Sequence, residues 1–492
     1  MKYDTKLTLI PSLLVLLLFS NLSGQTIWTR TYGGENFLSP HSAIETSDQG
    51  YLIAGVALLQ GRGDFDAWLV KTDFQGDTLW TRTYWGASND AANSVIETTD
   101  EGYLILGNNI ITEDYDCWLV KTDFQGDTLW TRTFGGAAND AANSVIETSD
   151  QGYLIAGSTR SYGAGDADYW LVKTDLQGDT LWTRTFGGNS RDNANSVIET
   201  SDQGYLIAGS TRSYGVGNDD CWLVKTDFHG DTLWTRTFGG NSRDNANSVI
   251  ETSDQSYLIA GRTESYGAGD DDYWLVKTDF QGDTLWTRTY GGSEDESVSV
   301  VIETSDQGYL LAGRTESYGA GDDDYWLVKT DTHGDIIWTQ TYGGSEDELV
   351  SAIIETSDQG YLLAGSTTSF GVLTGNAWLI KTDSQGNTTS TSLKRDEMEL
   401  PFSSSIHISP NPMNNSCNFA YTISERSPVS VDIYNVKGAR VWTQVFGEQV
   451  SGTYNYLWNA RDQNGDNLGS GVYILQVSTK SWRESRKLIL LK

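Results

Sequence analysis

Aromatic markers return along the chain every 52 residues, with one interval shortened to 50. One tryptophan series runs from Trp28 to Trp338, a tyrosine series from Tyr51 to Tyr361, and a second tryptophan series from Trp68 to Trp378, each with seven members. A fixed period in this range marks a propeller, a solenoid or an array. The two tryptophan series take 14 of the 18 tryptophans, so most of the large aromatic surface is structural.

One period contains four segments rich in β-branched and aromatic residues: SVIET (Ser196 to Thr200), YLIAGS (Tyr205 to Ser210), WLVKTD (Trp222 to Asp227) and TLWTRTF (Thr232 to Phe238). SDQG joins the first two and FHGD the last two, each with a glycine where a hairpin needs positive φ. Such short links make neighbours antiparallel and argue against a parallel β-helix. Where Ser256 replaces the first-turn glycine, a local strain of about 1 kcal/mol is expected. Four antiparallel strands per period form a propeller blade, and seven copies predict an all-β, seven-bladed β-propeller over residues 25–383.

TIWTRTY (Thr26 to Tyr32) matches only the fourth strand of a blade, while the last repeat ends after WLIKTD (Trp378 to Asp383). The first strand is therefore expected to complete the last blade. The alternative is a degenerate fourth strand over Asn387 to Leu393.

In a meandering blade the tight turns fall on one face and the longer links on the other. The longer links vary and are acidic: GAGDDDY at Gly267 and Gly319, SEDES at Ser293, SEDEL at Ser345. Function usually sits on such loops held by a rigid scaffold. The candidate ligand-binding residues are Asp270, Asp271, Asp272, Asp322, Asp323, Asp324, Glu294, Asp295 and Glu296. Clustered carboxylates on glycine-rich loops are also the donor type that Ca²⁺ takes, although the spacing differs from a full Asp-x-Asp-x-Asp-Gly loop. Glu199, Lys225 and Arg236 recur in almost every repeat, Gln340 replacing the arginine once, and read as ion pairs or hydrogen-bonded scaffold groups.

Catalysis needs an asymmetric constellation, and little breaks the repeat. His229 and His333 share one turn position, His41 lies in the first inter-blade loop and His407 beyond the repeats; G-x-S-x-G, H-E-x-x-H and P-loop patterns do not occur. Acidic pairs could serve a polysaccharide hydrolase or lyase, which stands as the alternative to a binding module, with a non-catalytic scaffold as the third reading.

A formal charge of −33 disfavours nucleic acid as a partner. Lys2, Lys6 and the apolar run Leu7 to Phe19 read as a signal peptide over residues 1–24, too short and Pro-interrupted for a membrane anchor. No later stretch has the length of a transmembrane segment. Cys117, Cys221 and Cys417 are expected to be free, the first two occupying equivalent places in different repeats.

Residues 384–405 are rich in Ser and Thr and read as a linker. From Ile406 the pattern becomes that of a small immunoglobulin-like sandwich: SPNP (Ser409 to Pro412), VSVDIYNVKG (Val429 to Gly438), YLWNARDQNG (Tyr456 to Gly465), GSGVYILQV (Gly469 to Val477) and KLILLK (Lys487 to Lys492). In this order the motifs of residues 406–492 resemble the C-terminal sorting domain of the type IX secretion system and the Ig-like fold of flagellar hook-capping proteins. The resemblance implies the type IX secretion machinery as a partner and a secreted or outer-surface location in a Bacteroidetes-type bacterium. The repeats, in which W-T-R-T-[YF]-G-G leads to S-V-I-E-T, resemble bacterial extracellular β-propeller repeats. The expected partner of the ring is an extracellular glycan or protein.

Overall fold

The computed structural model describes residues 26–491 apart from 34–35, 59–63, 85–88, 111–113, 372–374, 389–405, 410–412, 414–415, 424–425, 450–451 and 481. The signal-peptide segment, most of the linker and the PNP stretch lie outside the described residues.

All regular structure among them is β, and the repeats form seven four-stranded antiparallel sheets. In a representative sheet the strands are Asp192–Glu199, Tyr205–Thr211, Asp220–Thr226 and Thr232–Phe238, in sequence order. Burial follows that order. The second and third strands are buried along their whole length, whereas the fourth alternates between exposed and half-buried positions, as an outer edge strand does. Bulges fall between Ala194 and Ser196 and after Lys225, adding twist to each sheet.

The apolar faces of successive sheets pack on one another: Leu206, Ala208 and Leu223 meet Ile259, Trp274 and Val276 of the next sheet. Trp182 on an outer strand covers Gly230 in the next hairpin, where φ is +78° and a Cβ would stand 2.8 Å from the indole. This contact explains why the tryptophan and that turn glycine recur together. Trp28–Tyr32 pairs antiparallel with Asn376–Thr382, from Trp28 opposite Lys381 to Tyr32 opposite Ala377, so the expected completion of the last sheet by the first strand is observed. One apolar cluster accordingly joins Trp28, Leu38 and Trp68 with Leu362 and Leu379.

The SDQG turn differs from expectation. Its left-handed residue is the glutamine, Gln203 at φ 66° and Gln255 at φ 63°, and neither Gly204 nor Ser256 has positive φ. Glycine is favoured at the next position by close approach: a Cβ on Gly204 would collide with the Thr226 carbonyl and stand 2.5 Å from Lys225 Nζ. At Ser256 the cost moves to the lysine. Lys277 Nζ donates to Thr252 Oγ1 at 2.6 Å and Tyr309 Oη at 2.9 Å, whereas Lys225 Nζ donates to the carbonyl of the following threonine at 3.1 Å.

The C-terminal region is a sandwich of two sheets. Ile406–Ser409, Cys417–Ile423 and Gly452–Trp458 form the smaller; Arg440–Gln449, Ser427–Asn435, Gly471–Ser478 and Arg483–Leu490 form the larger. Phe419, Tyr421 and Trp458 from one side and Val431, Ile433, Leu475 and Leu488 from the other fill its core. The three cysteines are free and buried.

Candidate functional site

The recurrent charges are tied into the scaffold at the end of the sheets that carries the tight turns. Lys225 donates to Asp202 at 2.9 Å with the lysine side chain only 2% exposed. Glu251 accepts from the Ser201 main chain at 2.7 Å and hydroxyl at 2.6 Å on the neighbouring sheet. The same bonds repeat from sheet to sheet until Ser357 donates to Glu45, linking the last to the first. Glu199, Glu251 and Glu303, with Ser201, Ser253 and Gln255, line a cavity of about 600 Å³. Arg236 lies over the Trp234 ring at 5.4 Å and reaches Asp283 of the next sheet at 3.2 Å.

The opposite end is built from the loops between second and third strands and from the links between sheets. These lock together: Tyr266 Oη donates to the Gly239 carbonyl at 2.9 Å, and Ser265 Oγ to Asp244 at 2.6 Å. The boundary between the sheets carrying Asp272 and Glu296 contains two buried carboxylates. Asp272 accepts main-chain N–H bonds from Ala268 and Gly269 at 2.9 and 3.1 Å, folding the glycine loop around itself. Glu296 accepts from Thr315 Oγ1 at 2.8 Å, Ser317 N at 3.0 Å and Gly292 N at 2.7 Å. Burial, with the Glu296 charge adding to it and the loop N–H bonds opposing it, pushes the Asp272 carboxyl above its ordinary value.

The nine predicted residues therefore separate into three groups. Asp272, Asp324 and Glu296 are buried and hold loop backbone. Asp271 and Asp323 pair with Arg262 and Arg314 at 2.7 and 2.6 Å, and Asp295 accepts the Asp271 N–H at 3.2 Å. Asp270, Asp322 and Glu294 are exposed and make no ion pair among the described residues. Tyr266 and Tyr318 stand half exposed on the same loops, at 48% and 44%. Sequence reasoning missed Arg262 and Arg314. Their signal was the change from GST to GRT in these two repeats, which places a cation diagonally opposite the middle aspartate of the loop. Among the described residues no three Asp, Glu, His or Cys side chains cluster around one point, and no helix is long and apolar enough to cross a membrane.

The sandwich core and strand order meet a family match in this region. Residues 413–482 match the FlgD Ig-like domain family. The match covers most of the predicted C-terminal module. The chain is 24% identical over 236 residues to "Regulatory protein FlaEY" of Caulobacter vibrioides, covering 43% of this chain and 24% of that protein. The chain thus spans about a quarter of the curated relative it matches. Among solved structures it resembles PorZ, a surface component of the type-IX secretion system of Porphyromonas gingivalis, at 11% identity and TM-score 0.43, covering 90% of this chain and 58% of that one. A puromycin hydrolase matches at 10% identity and TM-score 0.49, covering 79% and 59%, and the polysaccharide lyase Uly1 at 10% and 0.43, covering 70% and 90%. Likenesses this distant bear on neither activity nor partner.

Proposed function

We propose that the seven sheets are the blades of a closed β-propeller, residues 25–383, that binds an extracellular glycan or protein through its acidic loop face. The observation that carries this reading is the division of charge. Every repeated charge is engaged within the scaffold, while Asp270, Asp322 and Glu294 stand exposed beside half-exposed Tyr266 and Tyr318. Carboxylates next to partly exposed aromatic rings offer both hydrogen-bond acceptors and a stacking surface. Near-equivalent loops on adjacent sheets suit a ligand with repeated units, since linked weak contacts gain by multivalency.

In the same reading residues 1–24 direct export, 384–405 form a linker, and 406–492 present the FlgD Ig-like domain to the type IX secretion machinery, giving a secreted or surface-held protein. Binding to arrays of glycans and basic proteins, compared between the native chain and the triple variant Asp270→Asn, Asp322→Asn, Glu294→Gln, tests the ring. Equal binding by both removes the acidic face from the account. Removing residues 406–492 and following the protein in cells and medium tests export; unchanged export discards the sorting role.

A further inference from the structure

Among the described residues five boundaries between sheets repeat one arrangement at a glycine, Asp116 with Asp140, Asp168 with Asp192, Asp220 with Asp244, Asp272 with Glu296, and Asp324 with Glu348; at a sixth, the buried Asp66 and Asp90 hold the equivalent positions and the sequence has Trp85 in place of that glycine. In each of the five, both carboxylates face the same point beside the first glycine of the Gly-Gly pair. A Cβ on Gly187 would meet Asp168 Oδ1 and stand 2.8 Å from Asp192 Oδ2. On Gly343 it would meet Asp324 Oδ1 and stand 2.5 Å from Glu348 Oε2. Aspartate and glutamate differ by a methylene, yet both bring an oxygen to the same place.

The two members are not equally satisfied. Asp192 has its oxygens filled by Thr211 and Ser213 hydroxyls and the main-chain N–H groups of Ser213 and Gly188. Asp168 is 2% exposed and Asp324 0%, and in both Oδ1 is sealed from solvent without a hydrogen-bond partner. No hydrogen bond joins the members of a pair. Two buried carboxylate oxygens crowding one glycine repel strongly unless one takes up a proton or a positive charge lies between them.

The chain contains its own control. At the boundary where the last sheet meets the first, Asn376 stands in place of the first carboxylate and Leu38 in place of the second, and both lie against Gly33. Both charges are lost together, which an independent capping role for either would not require. The exposed acids on the loops above the pairs add a negative field that draws cations to this end.

We propose that each of the five carboxylate pairs binds one hard divalent cation, of the Ca²⁺ class, between adjacent sheets. Two side-chain carboxylates are fewer than such an ion takes, so water or main-chain oxygens complete its shell and the affinity falls in the weak range of extracellular modules, about 0.1–1 mM. The site differs from the exposed acids assigned to ligand binding, and its test is independent of that reading.

Equilibrium dialysis of the full chain against radioactive calcium, after removal of metal with EDTA, should saturate near five ions per chain, accompanied by a rise in melting temperature. Asp324→Asn with Glu348→Gln should lower the count by one. The triple variant of the exposed acids should keep all five. Should the double variant fail to fold, Asp168→Asn alone, which copies the amide already present at position 376, provides the same loss of one ion. A count that falls with the exposed acids but not with the pairs overturns the proposal. So does a chain whose melting temperature rises equally in the Asn variants with and without calcium, since the pair then holds a shared proton.

Discussion

The two ends of the sheets handle charge in opposite ways. At the tight-turn end buried cations meet anions that reach toward the surface: the Lys225 side chain is 2% exposed and that of its partner Asp202 is 58% exposed. At the loop end carboxylates face carboxylates in the interior, as at Asp168 and Asp192. The first arrangement is self-sufficient. The second is incomplete as protein alone, and this contrast assigns the scaffold to one end and the chemistry to the other.

The largest effect should come from opening the self-sufficient end. Lys225→Ala leaves Asp202 without its cation and the Thr226 carbonyl without its donor. Loss of about 2–3 kcal/mol is expected, below the figure for a wholly buried pair because water solvates Asp202. Denaturant unfolding of the ring measures it; a loss under about 0.5 kcal/mol would mean that the buried lysine contributes little beyond its stem.

Acid should separate the two ends by sign. Partial burial pushes the Asp254 carboxyl up, but hydrogen bonds from Thr252, Ser256 and Lys277 and the Lys277 charge outweigh it and bring it down to about 2. Asp48, Asp100, Asp150, Asp202, Asp306 and Asp358 are lowered as well. A lowered carboxyl stabilises the fold above its unfolded value and loses that stabilisation as pH falls from about 4 toward 2. Asp116, Asp168, Asp220 and Asp272 are raised, chiefly by burial and further by the paired carboxylate. For these, stability is fullest below the unfolded value and declines as pH rises through it toward the folded one. In metal-free buffer, hydrogen exchange corrected for intrinsic rates should show the loop end better protected at pH 4 than at pH 7, and the turn end losing protection only below pH 4. Parallel behaviour of the two ends would erase the distinction.

The repeat made the turn end legible. Strand limits, the pairing of the first strand with the last repeat, and the structural nature of Glu199, Lys225 and Arg236 all follow from patterns copied seven times. The glycine of SDQG was misread because a turn glycine suggests positive φ, whereas here a carbonyl and a lysine from a strand distant in sequence crowd its α-carbon. The loop end was legible only as composition. Asp270, Asp271 and Asp272 are three identical letters in a row, yet one is solvated, one bound to Arg262 and one buried against Glu296. Which is which depends on the crossing of two loops, and neighbouring letters do not encode that.

A smaller effect separates one sheet from its siblings at the turn end. Ser256→Gly removes the hydroxymethyl group that displaces Lys277, which should return to the Thr278 carbonyl as Lys225 does to Thr226. The gain should stay below about 1 kcal/mol, because the present lysine already has three hydrogen bonds and lies over the Tyr309 ring at 5.1 Å. A destabilised variant would show that the Lys277 bonds to Thr252 and Tyr309 outweigh the one they replace, since the main-chain N–H bond of position 256 to Asp254 is kept by glycine, as at Gly204.

The smallest stability change should accompany the sharpest change in binding. Asp270→Asn and Asp322→Asn alter exposed side chains that form no ion pair among the described residues, so unfolding should shift by no more than about 0.5 kcal/mol. Asp271→Asn and Asp323→Asn alter neighbours in the same loops but remove the charge paired with Arg262 and the closer of the two charges paired with Arg314, Glu316 staying at 3.1 Å, so unfolding should shift more, by about 1 kcal/mol. Measuring both sets for stability and for binding on the same array sharpens the contrast within a single loop. If the exposed pair governs binding and the inner pair governs stability, then adjacent aspartates have been divided between surface and scaffold by the arginines alone.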